Sequence, residues 1–320
     1  PACFMTHIDN RNNYTEIARQ IVEEANVDVL LGGGLDHFIG SQISTMIANG
    51  YSVIFNRTEL AGISSGKVLG LFSNSHMDYE YDRNYDVQPS IAEMTSKSIE
   101  ILSQDSDGFF LMVEGSRIDH AAHAEDKFRN ALDTIAFDKA VDVALNYVEN
   151  NINTILIVTA DHETEGLVVL SHNLNSELPD DLVLEENKRT LRFARVNNVT
   201  VDWTATYHTD WPVPLFCYGA AFSNLTNDAT IDNIDIYSLM KNYYLGIPLN
   251  STEEPTTITN PTDPTDPTDS TSEPDSTTDT DTSPGYTDVP GGFLDSAIIL
   301  AASIGVAIII LVAVRIIKQR

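Results

Sequence analysis

Apolar residues recur along the first 250 positions at two different periods. Between Tyr14 and Asn26, the residues Ile17, Ile21, Val22 and Ala25 return every three to four positions, which gathers them on one face of a helix with Asn13 as its cap. The segments from Ser41 to Asn49, from Ile91 to Ser103 and from Lys127 to Glu149 carry the same spacing. Between and beyond them lie short, continuous apolar runs: Val27 to Leu31, ending in Gly32-Gly33-Gly34, then Tyr51 to Phe55, Lys67 to Phe72, Phe109 to Val113, Thr154 to Thr159 and Val213 to Tyr218. Runs without polar alternation suit strands that are covered on both faces. Strands alternating with helices predict an α/β domain, with a mostly parallel central sheet and helices on both of its faces. Pro1 to Asn12 shows neither period and is read as irregular.

Two later stretches leave this pattern. Residues 250–292 are rich in Thr, Pro and Asp, with repeated Pro-Thr-Asp triplets from Pro261 to Ser270. So few apolar side chains and so much like charge cannot drive collapse, so this segment is expected to be an extended, solvated stalk. Residues 293–320 contain an uncharged apolar run from Ala297 to Val314, followed by Arg315, Lys318 and Arg320. As a helix at about 1.5 Å per residue the run is roughly 27 Å long, close to the hydrocarbon thickness of a bilayer. The expectation is a single transmembrane helix with its basic end inside the cell and the folded part, residues 1–249, outside.

Charge and cysteine content narrow the function. The chain has 47 acidic and 18 basic residues, a net charge of −29, and ten of the acids fall between Glu253 and Asp288. A surface this acidic repels phosphate backbones, so nucleic acid is not an expected partner. Only Cys3 and Cys217 are present. They exclude a disulfide framework and a cysteine-rich zinc module, leaving one Cys3–Cys217 bridge as the only disulfide the sequence permits. Asn-X-Ser/Thr sites at Asn13, Asn56, Asn198, Asn224 and Asn250 are consistent with an external domain.

The residues able to carry chemistry fall just after strand ends. The run Phe109 to Val113 leads into Glu114, Asp119 and His123; Thr154 to Thr159 leads into Asp161-His162; and Tyr207-His208-Thr209 precedes the last run. Asp119 and His123 are four apart, so on a helical turn they share a face and can grip one ion. Ligands of open α/β sheets bind beyond the carboxyl ends of strands, where these three segments can converge. Three carboxylates and three imidazoles suit zinc together with a harder cation such as magnesium. His7, His37, His76 and His172 are read as cap, turn or surface residues.

These segments, in this order, resemble the metal-binding motifs of the alkaline phosphatase family. The likeness runs from Pro1 to about Leu249 and includes Leu30-Leu31-Gly32-Gly33-Gly34. The resemblance implies two zinc ions and one magnesium ion. Asp119, His123 and His208 would hold the first zinc, Asp161 and His162 would serve the second, and Glu114 the magnesium. Arg11, in Thr6-His7-Ile8-Asp9-Asn10-Arg11, matches the arginine that grips the substrate phosphate, and His120 stands where some members have a histidine near the metals. The implied activity is hydrolysis of phosphate monoesters through a phosphoserine, with homodimers as a further implication. In the family pattern the serine, a shared aspartate and a threonine near magnesium precede the matched region, so the chain alone is expected to be inactive. Thr209-Asp210-Trp211-Pro212 departs from the Thr-Gly-Glu-Asp that many members carry after this histidine, which bears on substrate preference and loop shape. Two alternatives are a phosphodiesterase or sulfatase of the same superfamily and a surface domain without turnover. His208 with Glu114 and Arg11 favours the monoester reading.

Overall fold

In the computed structural model, residues 2–172, 199–219, 222, 230–247 and 307–314 are described. The first half alternates as its periodicity requires. A short helix α1 (Ala2–Met5), where no regular element was expected, stacks its Phe4 ring on Phe110. Helix α2 (Tyr14–Glu23) starts at Asn13, whose side chain accepts the Glu16 N–H, and buries Ile17, Ala18, Ile21 and Val22. Strand β1 (Val29–Gly32), helix α3 (Gln42–Ala48), strand β2 (Tyr51–Ile54), helix α4 (Arg57–Gly62) and strand β3 (Lys67–Leu71) follow. Asn56 caps α4 by accepting the Glu59 N–H, so two of the five Asn-X-Ser/Thr asparagines serve as helix caps. The other three lie outside the described residues.

The three strands form a parallel sheet in the order β1-β3-β2. Beyond the end of β1, the Gly34 N–H donates to Ser75 O at 2.7 Å. A Cβ on Gly33 would lie 2.0 Å from that same oxygen. The glycines therefore let the segment around Ser75 cross the strand end at contact distance.

Helix α5 (Ile91–Leu102) opens with a capping box between Ser90 and Glu93. Strand β4 (Gly108–Gly115), helix α6 (Arg117–His123), helix α7 (Lys127–Asn150) and strand β5 (Thr154–Ala160) follow, then β6 (Glu163–Thr164), β7 (Leu167–His172), β8 (Val199–Trp203), β9 (His208–Thr209), β10 (Phe216–Tyr218), helix α8 (Asn233–Tyr244) and strand β11 (Ala307–Val314). A second sheet runs β10-β5-β11-β4. Phe109, Leu111 and Leu156 pack with Ile99 of α5 and Phe137, Ala140, Ala144 and Val148 of α7 on one face. Ile155 and Ile157 point the other way, onto Ile236, Leu239 and Met240 of α8. The sheet is thus covered on both faces, as the unbroken apolar runs require.

Two expectations need correction. The strands do not make one largely parallel sheet: β10 and β11 run antiparallel to their neighbours, and the β1-β3-β2 sheet is a separate ladder. A cleft of about 1090 Å³ opens between the two, lined by Leu31 of β1 and Gly33 just after it, and by Phe110, Val113 and Glu114 from β4. Second, Ala307–Val314 is a strand, not the end of a membrane helix. β4 and β5 are one strand apart, and β11 fills the space with ladders to both, Ile310 facing Met112 on one side and Ile157 on the other. A strand with both edges paired satisfies its backbone as fully as a helix does, and a continuous apolar run suits either. Residues 297–306 and the stalk lie outside the described residues, and no described helix is long and apolar enough to cross a membrane. Cys217 is a free thiol, and burial pushes its pKa up to about 11.

Helix α7 carries a costly group at Asp133. Asp133 accepts the Glu80 N–H at 3.1 Å, pinning the segment after β3 to the helix. Desolvation pushes its carboxyl up to about 7, and the neighbouring Glu80 charge adds to the effect. The unfolded value lies near 3.9, so between about pH 4 and 7 the folded chain holds a proton that the unfolded chain releases. This group's contribution to stability is therefore fully present below about pH 4 and is lost as pH rises through 7. Asp133→Asn, whose amide oxygen still accepts from Glu80, is expected to raise stability at pH 8 by about 1–3 kcal/mol and to do little at pH 4. Urea unfolding at the two pH values checks this, and an equal effect at both would sink it.

Candidate metal centre

β4 ends at Gly115 and the chain turns directly into α6, which therefore stands at the carboxyl end of that strand. Ile118, Ala121 and Ala122 are buried and fix the helix against the domain. Asn130 of α7 donates to Ile118 O at 3.1 Å. Asp119 and His123, one turn apart, are left at the strand end with His123 open to solvent.

His208 arrives by another route. β5 ends at Ala160, and after Asp161-His162 the two-residue strand β6 pairs antiparallel with β9, setting Thr164 opposite His208. Glu163 is 3% exposed and closes this turn, accepting the Gly166 and Leu167 N–H groups and the Thr209 hydroxyl. Three donor atoms then converge. Asp119 Oδ1 lies 3.4 Å from His123 Nε2 and 3.5 Å from His208 Nε2, and the two nitrogens are 3.0 Å apart. Among the described residues these three form a group whose donor atoms all lie within 4.8 Å of one another. A carboxylate oxygen and two imidazole nitrogens form a zinc-type donor set, and three protein ligands leave a coordination position open.

The other candidates are placed differently. His162 stacks on His208, ring centroids 3.5 Å apart, and its Nε2 is 3.3 Å from Asp161 Oδ2. This pair borders the group without joining it. The Asp161 carboxyl is raised above its usual range chiefly by desolvation; the His162 contact opposes this and the Asp119 charge adds to it. Glu114 lies near the end of β4, paired with Ile308 of β11, and faces the inter-sheet cleft. Arg11 is exposed in the loop between α1 and α2. His120 is braced by Arg117, whose Nη1 is 3.0 Å from His120 Nδ1 and whose guanidinium stacks 3.6 Å over the Tyr79 ring. His76, read from sequence as unremarkable, packs edge-on against His120 with ring centroids 4.7 Å apart. Desolvation drives both imidazoles toward the neutral form, and the Arg117 charge adds to it.

Sequence reasoning did not single out the residues that hold the ligands. Thr164 donates its hydroxyl to Asp119 Oδ1 at 2.8 Å, and Glu165 Oε1 lies 2.6 Å from His123 Nδ1. A signal was available: Glu163-Thr164-Glu165-Gly166 is a polar run directly after Asp161-His162, and all four residues are buried. Buried polar groups in series need partners, and ligands are the partners at hand.

Fold and donor group together define an α/β domain with a candidate metal centre at the carboxyl ends of its strands. The chain belongs to the alkaline phosphatase family, whose model matches residues 1–176. It is 29% identical over 308 residues to alkaline phosphatase 3 of Bacillus subtilis, a match covering 78% of this chain and 65% of that protein. Over 117 residues it is 42% identical to the membrane-bound alkaline phosphatase of Bombyx mori, covering 35% of this chain and 21% of that one. Among solved structures, the cold-active alkaline phosphatase of a psychrophilic Shewanella superposes with a TM-score of 0.62 at 28% identity, covering 75% of this chain and 71% of that one. The chain thus spans less than two thirds of the length of the Bacillus relative.

If the donor group holds a cation, His208→Ala removes one of three ligands. Its zinc affinity is expected to fall by about 100-fold or more, while His7→Ala, on an exposed loop residue, changes nothing. Competition with a chromophoric chelator reads this directly, and equal affinity in the two variants would refute the grouping.

Proposed function

We propose that this chain forms the metal-holding part of a phosphate monoester hydrolase, an alkaline phosphatase. The observation that carries the reading is the convergence of Asp119, His123 and His208 at one point beyond the ends of β4 and β5. In this reading the trio holds one zinc ion, Asp161 and His162 serve a second, and Glu114 serves magnesium. Cations bound there supply Lewis-acid charge to the attacking and leaving oxygens of the phosphoryl group. The chain's own residues do the rest. Arg11, exposed in the loop between α1 and α2, offers a planar fork for two phosphate oxygens. Glu163 keeps the β6–β9 turn closed, so that His208 stays opposite Thr164. The acceptor is taken to be a serine upstream of Pro1.

p-Nitrophenyl phosphate, its bis-ester and an aryl sulfate distinguish the superfamily's chemistries. A zinc- and magnesium-loaded version extended upstream through the serine is expected to turn over the monoester at least about 100-fold faster than the other two. The 320-residue chain is expected to stay roughly 10³-fold or more below it. Preference for the diester or the sulfate, or equal activity in the two versions, would overturn the reading.

Surface display is part of the same proposal. It rests on the uncharged stretch Ala297 to Val314, on the basic residues after it, and on a relative whose name calls it membrane-bound. Because Ala307–Val314 is strand β11 here, a span requires that stretch to leave the sheet and form a helix. Protease added to intact cells is expected to release a soluble domain by cutting within residues 250–292. A domain protected until lysis would count against it.

A further inference from the structure

Glu165 adopts a backbone conformation that costs a glutamate free energy. Its φ is +63°, beside Gly166 at +61°. An L side chain in the left-handed region crowds its own backbone, and glycine does not. The residue is nevertheless held there: its N–H donates to Tyr207 O at 2.7 Å, and its carbonyl accepts the Ala205 N–H at 3.0 Å. Both bonds are made by the backbone, so glycine would serve this turn equally well and without strain. The reason for a glutamate must lie in its side chain.

That side chain is 11% exposed, and its Oε1 lies 2.6 Å from His123 Nδ1. A carboxylate only accepts, so Nδ1 carries the proton. The lone pair of neutral His123 is thereby fixed on Nε2, the atom that lies 3.4 Å from Asp119 Oδ1 and 3.0 Å from His208 Nε2. The neighbouring carboxylate, Glu163, cannot substitute, because it is engaged by the Gly166 and Leu167 N–H groups and the Thr209 hydroxyl. We propose that Glu165 is a positioning residue for the metal centre: it holds His123 in the Nδ1–H tautomer, aims Nε2 at the cation, and makes that nitrogen a stronger donor. The backbone strain at position 165 persists because the carboxylate must enter from that side. Thr164 does the corresponding work for Asp119 through its hydroxyl, so consecutive residues orient ligands that lie on a different element.

This inference rests on the reading of Asp119, His123 and His208 as a metal group, and the two can be tested apart. The probe is zinc alone, titrated into the full chain against a competing chelator, with thermal unfolding of the metal-free protein measured alongside. The wild type is compared with E165G, E165Q and H208A. E165G is expected to unfold at the wild-type temperature or above, since the strain is gone, yet to bind zinc about 10- to 100-fold more weakly. E165Q, whose amide oxygen still accepts from Nδ1–H, should fall between them. Imidazole ¹⁵N spectra of the metal-free chains should show the Nδ1–H tautomer at His123 in the wild type and E165Q, and a mixture in E165G. Undiminished zinc affinity in E165G, or one tautomer population in all three chains, would overturn the proposal while leaving the metal group standing. No difference in zinc binding between the wild type and H208A would overturn the metal reading and this proposal with it. If Glu165 served only the fold, E165G would lose thermal stability and keep its zinc.

Discussion

The separation of β4 and β5 governs everything at the candidate site. Both strands run in one direction, with β11 laddered between them, so they stand two strand spacings apart, roughly 9.6 Å. Asp119 and His123 leave from the end of one; from the end of the other the chain passes through Asp161-His162 into the β6–β9 ladder, which brings His208 across that gap. Large side chains from the sheet, Phe109, Leu111 and Leu156, meet Phe137 of α7, while the fully buried Ala140 and Ala144 let that helix approach closely. A close-packed contact of this kind resists changes of even one methylene. The core thus fixes how far apart the two strand ends stand, and the turns that leave them bring the ligands together.

The small β6–β9 ladder depends on that frame and could not have been read beforehand. β4 and β5 are legible in the sequence because their apolar runs are bounded by polar and glycine residues, such as Asp107-Gly108 before and Glu114-Gly115 after the run Phe109 to Val113. α5 and α7 are legible from their helical spacing. Two-residue strands have no period at all; they exist because Thr164 and His208 are brought opposite each other by everything around them. The pairing of Asp119 with His123 followed from helical spacing alone. The arrival of His208 did not: strand-end placement allowed its segment to converge there, and the family likeness alone assigned it to the same ion as Asp119 and His123. Glu165 was passed over because a Glu-Gly step reads as an ordinary turn, and its function shows only when the backbone angle and the His123 contact are seen together.

The apolar stretch near the C-terminus shows a different limit. A strand paired on both edges and a membrane helix make the same demand on composition, namely no charge and no break. Periodicity cannot separate them, and only a partner can. Here the partner is the gap between β4 and β5, which offers backbone groups on both sides along the whole of Ala307–Val314. Distance is no obstacle, because the chain between α8 and β11, at roughly 3.3 Å per extended residue, can reach on the order of 100 Å or more. Sheet and bilayer are therefore mutually exclusive places for one segment, and its choice follows from whichever satisfies its backbone. When the segment leaves the sheet, β4 and β5 each lose a paired edge.

Electrostatics explains why strain is tolerated where it occurs. In the absence of a cation, Asp119 Oδ1 and the Nε2 atoms of His123 and His208 bring lone pairs together within hydrogen-bond range, and at most one proton between each pair can relieve them. Such a group opposes its own assembly. It is held by bonds outside it: Thr164 on Asp119, Glu165 on His123, and Glu163 across the turn. Glu165 and Tyr207 both sit in the left-handed region and are joined by a backbone hydrogen bond, so the strain, on the order of 1–3 kcal/mol for each, is concentrated in the turn that delivers His208. A cation reverses the sign of the repulsion and converts the same geometry into binding free energy. The turn is therefore ordered most firmly when the centre is filled, and Glu165 is the residue through which backbone strain and ligand orientation are coupled.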